Sequence, residues 1–184
     1  MNINERNMKY MKTTDIGFER FEEDFCAQNT FICGSSATLQ NEAATQLTNL
    51  NAVGNTVFIT DPYLFLSSPD STYRADLIAL LEGLKAVKIT YCAKSKGNAT
   101  FFQQVQTALQ TAGTVLDFTC QLDDCHDRFW YCPETEKCVV FGTSLNGIGR
   151  KICRIDMLTE EETAELKQYF VRAGIITNGG NSGT

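Results

Sequence analysis

His126-Asp127-Arg128-Phe129-Trp130-Tyr131 opens the segment on which the fold turns. It runs through the polar turn Pro133-Glu134-Thr135-Glu136-Lys137 into Val139-Val140-Phe141. It ends in Gly142-Thr143-Ser144-Leu145-Asn146-Gly147-Ile148-Gly149-Arg150-Lys151. The pattern reads as a hairpin, Arg128 to Cys132 paired with Cys138 to Phe141, followed by a Gly/Ser/Asn loop. A His-x-Arg pair at a strand start beside such a loop is suited to phosphate. An imidazole can attack phosphorus or protonate a leaving group, a guanidinium grips phosphate oxygens in a fork, and Ser and Asn add hydrogen bonds. His126 is the chain's single histidine, so any histidine chemistry runs through it.

Outward from this segment, alternating elements predict an α/β domain. A helix is expected over 18–28, where Phe18, Phe21 and Phe25 recur at helical spacing, and a short strand over 30–34. A helix over 39–50 precedes the buried strand Thr56-Val57-Phe58-Ile59-Thr60, closed by Asp61-Pro62-Tyr63. Ser71 or Thr72 is expected to cap a helix over 73–84. A strand over 87–92 follows, then a helix from Asn98 or Thr100 to about Thr111, ended by Gly113, and a strand over 114–120. After the hairpin come a strand over 152–157 and a helix to about Arg172, opened by the capping-box pattern Thr159-Glu160-Glu161-Glu162. The expected architecture is a mixed β-sheet with helices on both faces. Residues 1–17 read as a flexible lead-in, 18–175 as one domain and 176–184 as a disordered tail.

The 184 residues suffice for a sizeable single core, and 43% hydrophobic with 21% charged residues is ordinary for a globular protein. The net charge of −6 opposes non-specific binding to nucleic acid or anionic membranes. Residues 146–154 are a local exception, with three positive charges and no negative one. No transmembrane segment and no signal peptide are evident, which predicts a cytoplasmic protein. The eight cysteines then read as reduced, buried thiols. Cys120, Cys125, His126, Cys132 and Cys138 could be combined into a zinc site, but their spacings are not those of a zinc knuckle, and neither metal nor cofactor is expected.

The element order, Ile59-Thr60-Asp61-Pro62-Tyr63, His126-Asp127-Arg128 and Ser144-Leu145-Asn146 resemble a phospholipase D-like domain over roughly residues 30–172. That superfamily carries a His-x-Lys-x4-Asp motif followed by a Gly-Ser-x-Asn loop. The resemblance implies a phosphohistidine intermediate on His126, a phosphate held by Arg128 and Asn146, and a homodimer, since two motif copies share one active site. The Asp-Pro-Tyr strand end and His-Asp-Arg segment also resemble the phospholipase D-like domain at the C-terminus of some MIT-domain proteins, which implies a module binding membrane lipids rather than an enzyme.

The motif is degenerate. Arg128 stands at the lysine position, Pro133 at the aspartate position, and Gly142 lies one place too far from Ser144. Asp156 is a candidate for the acidic residue that follows the asparagine by a strand's length. The catalytic set implied by the resemblance is His126, Arg128, Ser144 and Asn146, flanked by Asp61, Tyr63, Asp127, Gly142, Thr143, Arg150 and Lys151 as ligand-binding residues.

Each has a plainer reading. His126 is a solvated strand-start histidine, Arg128 a partner for Asp124 or Asp127, and Ser144 and Asn146 turn residues. Asp61 starts a turn, while Tyr63 and Trp130 are packing aromatics. Two functions remain open: a degenerate module binding a phosphate-containing ligand (nucleic acid or lipid headgroup) or a protein partner, and a metal-independent homodimeric phosphodiesterase or nuclease. A scaffold with no ligand at this loop is a third, weaker reading.

Overall fold

The structure is a computed structural model that describes residues 29–32, 36–119, 122, 125–147 and 153–177. The expected helix over 18–28, the lead-in before it, and residues 178–184 of the expected tail lie outside the described residues. Contacts divide the chain into the units Met1–Thr30 and Phe31–Thr184.

The second unit follows the predicted alternation. The elements are β1 (Asn29–Ile32, straddling the unit boundary), α1 (Ser36–Thr48), β2 (Thr56–Thr60), α2 (Ser71–Gly83), β3 (Lys88–Cys92), α3 (Ala99–Thr111), β4 (Val115–Thr119), β5 (Arg128–Cys132), β6 (Lys137–Phe141), β7 (Cys153–Met157) and α4 (Glu160–Arg172). The sheet order is β1-β7-β6-β5-β2-β3-β4. Strands β2, β3 and β4 are parallel, joined by helical crossovers; β5 is antiparallel to β2, β6 to β5, and β7 to β6. The hairpin thus converts a parallel sheet into a mixed one.

The period-2 alternation of the strands splits the core in two. One face carries Val57, Ile59, Ile89, Tyr91, Leu116, Trp130, Val139 and Phe141, packed with Leu47 of α1, Leu77 and Leu81 of α2, and Phe101, Phe102, Val105 and Leu109 of α3. The other carries Phe58, Cys92, Tyr131 and Cys138 under Leu166 and Phe170 of α4. Ile176, expected in a loose tail, is packed against this second cluster, and the Ile175 N–H bonds the Phe170 carbonyl at 2.9 Å.

The helix starts follow side-chain chemistry. Asn98 accepts from the Phe101 N–H at 3.0 Å. Thr159 and Glu162 form the reciprocal box, with Thr159 N to Glu162 Oε2 at 2.8 Å and Glu162 N to Thr159 Oγ1 at 3.2 Å. One cap differs from expectation. Asp70, rather than Ser71 or Thr72, accepts the Tyr73 N–H at 2.7 Å. A carboxylate one residue earlier satisfies the same orphan donor and adds favourable charge at the helix start.

Candidate phosphate site

Antiparallel pairing brings separate parts of the chain to one rim of the sheet. The C-terminal end of β2, the start of β5 and the end of β6 share this rim, through the pairs Ile59 with Trp130 and Arg128 with Phe141. Extending the first register by two residues sets Asp61 opposite Arg128. The loop after β6 begins there, with the Gly142 N–H on the Arg154 carbonyl at 2.9 Å.

Asp61 is the hub. It is 1% exposed, and every one of its acceptor oxygens is engaged. Oδ2 accepts from Ser144 Oγ at 2.8 Å and from the Leu145 N–H at 3.3 Å. Oδ1 accepts from the Tyr63 N–H at 3.0 Å, and the backbone carbonyl accepts from the Tyr91 hydroxyl at 2.9 Å. Burial raises the Asp61 carboxyl above its ordinary range; the Tyr63 N–H, the Ser144 hydroxyl, the Leu145 N–H and the Arg128 charge pull the other way without cancelling it. Its charge helps burial hold the Tyr73 and Tyr91 hydroxyls well above their normal range.

Around this hub the predicted residues separate into two groups. Ser144 is buried (3% exposed), with its proton directed at Asp61. Asn146 is half-buried in the short 3-10 turn Leu145–Gly147, closed by the Gly147 N–H on the Ser144 carbonyl at 2.8 Å. Arg128 is half-buried, and its Nε is shielded from solvent with no hydrogen-bond partner among the described residues. His126, Asp127 and Gly142 are exposed, and Thr143 is half-buried. Tyr63 is 57% exposed, so it is not the core aromatic that its flanking position suggested. Trp130 is fully buried packing, 5.7 Å from Phe141 between ring centroids. Arg150 and Lys151, like Asp124, lie outside the described residues.

Thr60, which the sequence did not single out, ties the histidine segment to the sheet. Its Oγ1 donates to the Asp127 carbonyl at 2.9 Å and accepts the Phe129 N–H at 2.8 Å. The β2–β5 ladder covers two residue pairs, and this side chain bridges the strands beyond them.

Two sequence candidates are placed elsewhere. Asp156 pairs with Val140 and forms an ion pair with Arg154, whereas its neighbours Ile155 and Met157 pack on the opposite face, the face of Trp130. By strand alternation Asp156 therefore points away from the Arg128 face. The combined zinc set also separates, because Cys132 belongs to one core face and Cys138 to the other. Among the described residues no His/Cys/Asp/Glu cluster could hold a metal ion, and no helix is long and apolar enough to cross a membrane. A separate open cleft of about 440 Å³ lies between α3 and β4, lined by Lys96, Phe102, Gln103, Gln106, Asp117 and Phe118, and contains none of the predicted site residues.

No protein-family model matches the sequence, and no curated protein matches it. Solved structures do. A polyphosphate kinase from Porphyromonas gingivalis matches with a TM-score of 0.50 at 10% identity, over 94% of this chain and 29% of that one. A phosphatidylserine synthase from Haemophilus influenzae matches with a TM-score of 0.45 at 15% identity, over 84% of this chain and 40% of that one. TrmBL2, an archaeal chromatin protein, matches with a TM-score of 0.42 at 13% identity, over 92% of this chain and 63% of that one. The chain thus spans less than two thirds of each. The polyphosphate kinase belongs to the phospholipase D-like superfamily. Its likeness to nearly the whole chain, with the observed strand order and layers, shows that this chain has a phospholipase D-like α/β fold.

Proposed function

We propose that this chain is a degenerate phospholipase D-like domain that binds a phosphate-containing ligand at the rim formed by His126, Arg128 and Asn146, without cleaving it. One observation carries the reading: a half-buried guanidinium at the sheet rim, its Nε shielded from water and without a hydrogen-bond partner among the described residues. An unsatisfied buried donor on a cation is costly, and a phosphate oxygen would remove that cost with a charge-assisted bond once the side chain turns its Nε outward. Asn146 would add a neutral hydrogen bond from the adjoining turn, Thr143 a further donor, Gly142 room for close approach to the backbone, and Arg150 and Lys151 further positive charge. Tyr63, Asp127 and the Asp61 corner would border the ligand.

Three features support binding over hydrolysis. The Ser144 proton is committed to Asp61. The position seven after His126 is Pro133, at the far end of β5 from the rim. The acidic residue expected to follow the loop, Asp156, faces away. The resemblance to the MIT-domain proteins favours a membrane-lipid headgroup as the phosphate source; the net charge of −6 opposes non-specific binding to nucleic acid and anionic membranes alike, so a lipid would be held by its headgroup at this site. A cytoplasmic location and a folded unit from about residue 18 belong to the same reading.

The test is titration with inorganic pyrophosphate, then with vesicles containing or lacking a phosphoinositide. Saturable pyrophosphate binding that is lost in Arg128→Ala supports the proposal. Equal binding by both proteins refutes the assigned site. Vesicle binding that requires the phosphoinositide favours the lipid source over a free phosphate. The alternative, a homodimeric phosphodiesterase acting through a phosphohistidine, draws on one observation: His126 is exposed and open to a second copy. A monomer in sedimentation would rule that alternative out.

A further inference from the structure

We infer that Asp61 is a positioning residue: it touches no ligand, but through the Ser144–Leu145 turn it fixes where Asn146 stands at the rim. The inference rests on the phosphate-binding reading for its purpose, while its geometry stands independently. The Asp61 side chain has no face left for a ligand, since three donors from two loops converge on it and the residue is 1% exposed. A carboxylate also repels phosphate, so contact with the ligand would oppose binding.

The same bonds suit it to alignment. Ser144 and Leu145 are held on one oxygen, and the Ser144 carbonyl accepts the Gly147 N–H at 2.8 Å. Asn146 lies inside that closed turn, so tying its first two residues sets its place. Leu145, 9% exposed and part of the main core cluster, pins the apolar side of the turn. The hub is itself fixed from β3, because the Tyr91 hydroxyl bonds the Asp61 carbonyl and the Tyr91 ring stands 5.0 Å from that of Phe65. Sequence distance hides this link: Ser144 is 83 positions from Asp61.

Two substitutions separate alignment from charge. Asp61→Asn keeps one oxygen, enough for the Ser144 and Leu145 donors, and removes the charge together with the acceptor for the Tyr63 N–H. Asp61→Ala removes the charge and both oxygens. Two readouts are needed: amide hydrogen exchange over 143–147, and pyrophosphate affinity. In Asp61→Ala, exchange should rise and affinity fall by about tenfold or more, the scale of a lost hydrogen bond to a charged group. Asp61→Asn should restore both to within about threefold of wild type, a fraction of that scale.

A folded Asp61→Ala protein with wild-type exchange and affinity overturns the inference. So does an Asp61→Asn protein as impaired as the alanine variant, since charge would then be the cause. If Asp61→Ala fails to fold, Ser144→Ala replaces it, removes the 2.8 Å bond alone, and must loosen the same segment. If wild type itself does not bind pyrophosphate, the phosphate reading fails, and the exchange data alone decide whether Asp61 holds the turn.

Discussion

Thr60→Val tests whether the histidine segment is held as described. The two side chains have nearly the same shape, and Thr60 is 1% exposed, so packing changes little. What is lost is the bridge at Oγ1, which accepts the Phe129 N–H at 2.8 Å and donates to the Asp127 carbonyl at 2.9 Å. Asp127 is exposed, so water replaces the second bond at little cost. Phe129 is half-buried, and leaving its N–H unsatisfied costs about 1–3 kcal/mol. The added methyl returns roughly 0.8 kcal/mol of apolar burial. The net destabilisation is about 0.2–2.2 kcal/mol, which for a chain of this size lowers the melting temperature by up to roughly 9 °C. Urea unfolding gives the free energy, and the Phe129 amide should exchange faster in the variant. A variant as stable as wild type, with the Phe129 amide still protected, would refute the bridge.

Further predictions concern the faces and the thiols. Phe170→Ala removes a fully buried ring that lies 5.7 Å from Tyr131 and 6.4 Å from Phe58, and should cost about 3–5 kcal/mol in urea unfolding. The pH dependence of stability should carry the mark of Asp61. Its carboxyl is raised above the ordinary 3.8, so its contribution is complete below 3.8 and is lost as pH rises through the folded-state value. The stability of wild type relative to Asp61→Asn should therefore fall as urea titrations move from pH 4 to 8, and a constant difference would contradict the buried carboxyl. Burial pushes the Cys92 thiol up to about 12 and raises Cys138 as well. Iodoacetamide at pH 8 should thus label Cys125, half-buried, before the buried Cys92, Cys132 or Cys138, as read by peptide mass spectrometry.

Local signals carried most of the fold. The apolar, β-branched run Thr56–Thr60 is a buried strand, the Thr159/Glu162 box opens α4, and the Pro133–Lys137 turn closes the hairpin. Each rests on neighbours in sequence, where spacing and side-chain chemistry suffice. The rim was less legible. Ser144 reads as a phosphate ligand in a Gly/Ser/Asn loop, yet its hydroxyl is committed to Asp61 by a contact that no local period reports. Asp61 reads as the start of a turn, and it is one, through the Tyr63 N–H; its second oxygen has the long-range task. Asp156 fell at a plausible spacing, but a shift of one residue along a strand reverses the face. Tyr63 read as core because aromatics flanking strands usually are; its side chain projects at the rim instead.

The most direct test of phosphate binding without cleavage is a single 31P NMR experiment. Wild-type protein is added to bis(p-nitrophenyl) phosphate in EDTA, with Arg128→Ala and His126→Ala in parallel. The account predicts that wild type broadens or shifts the diester resonance, that Arg128→Ala does not, and that no product resonance grows in any sample. A monoester resonance that grows with wild type and is absent with His126→Ala would contradict it and establish a histidine-dependent phosphodiesterase.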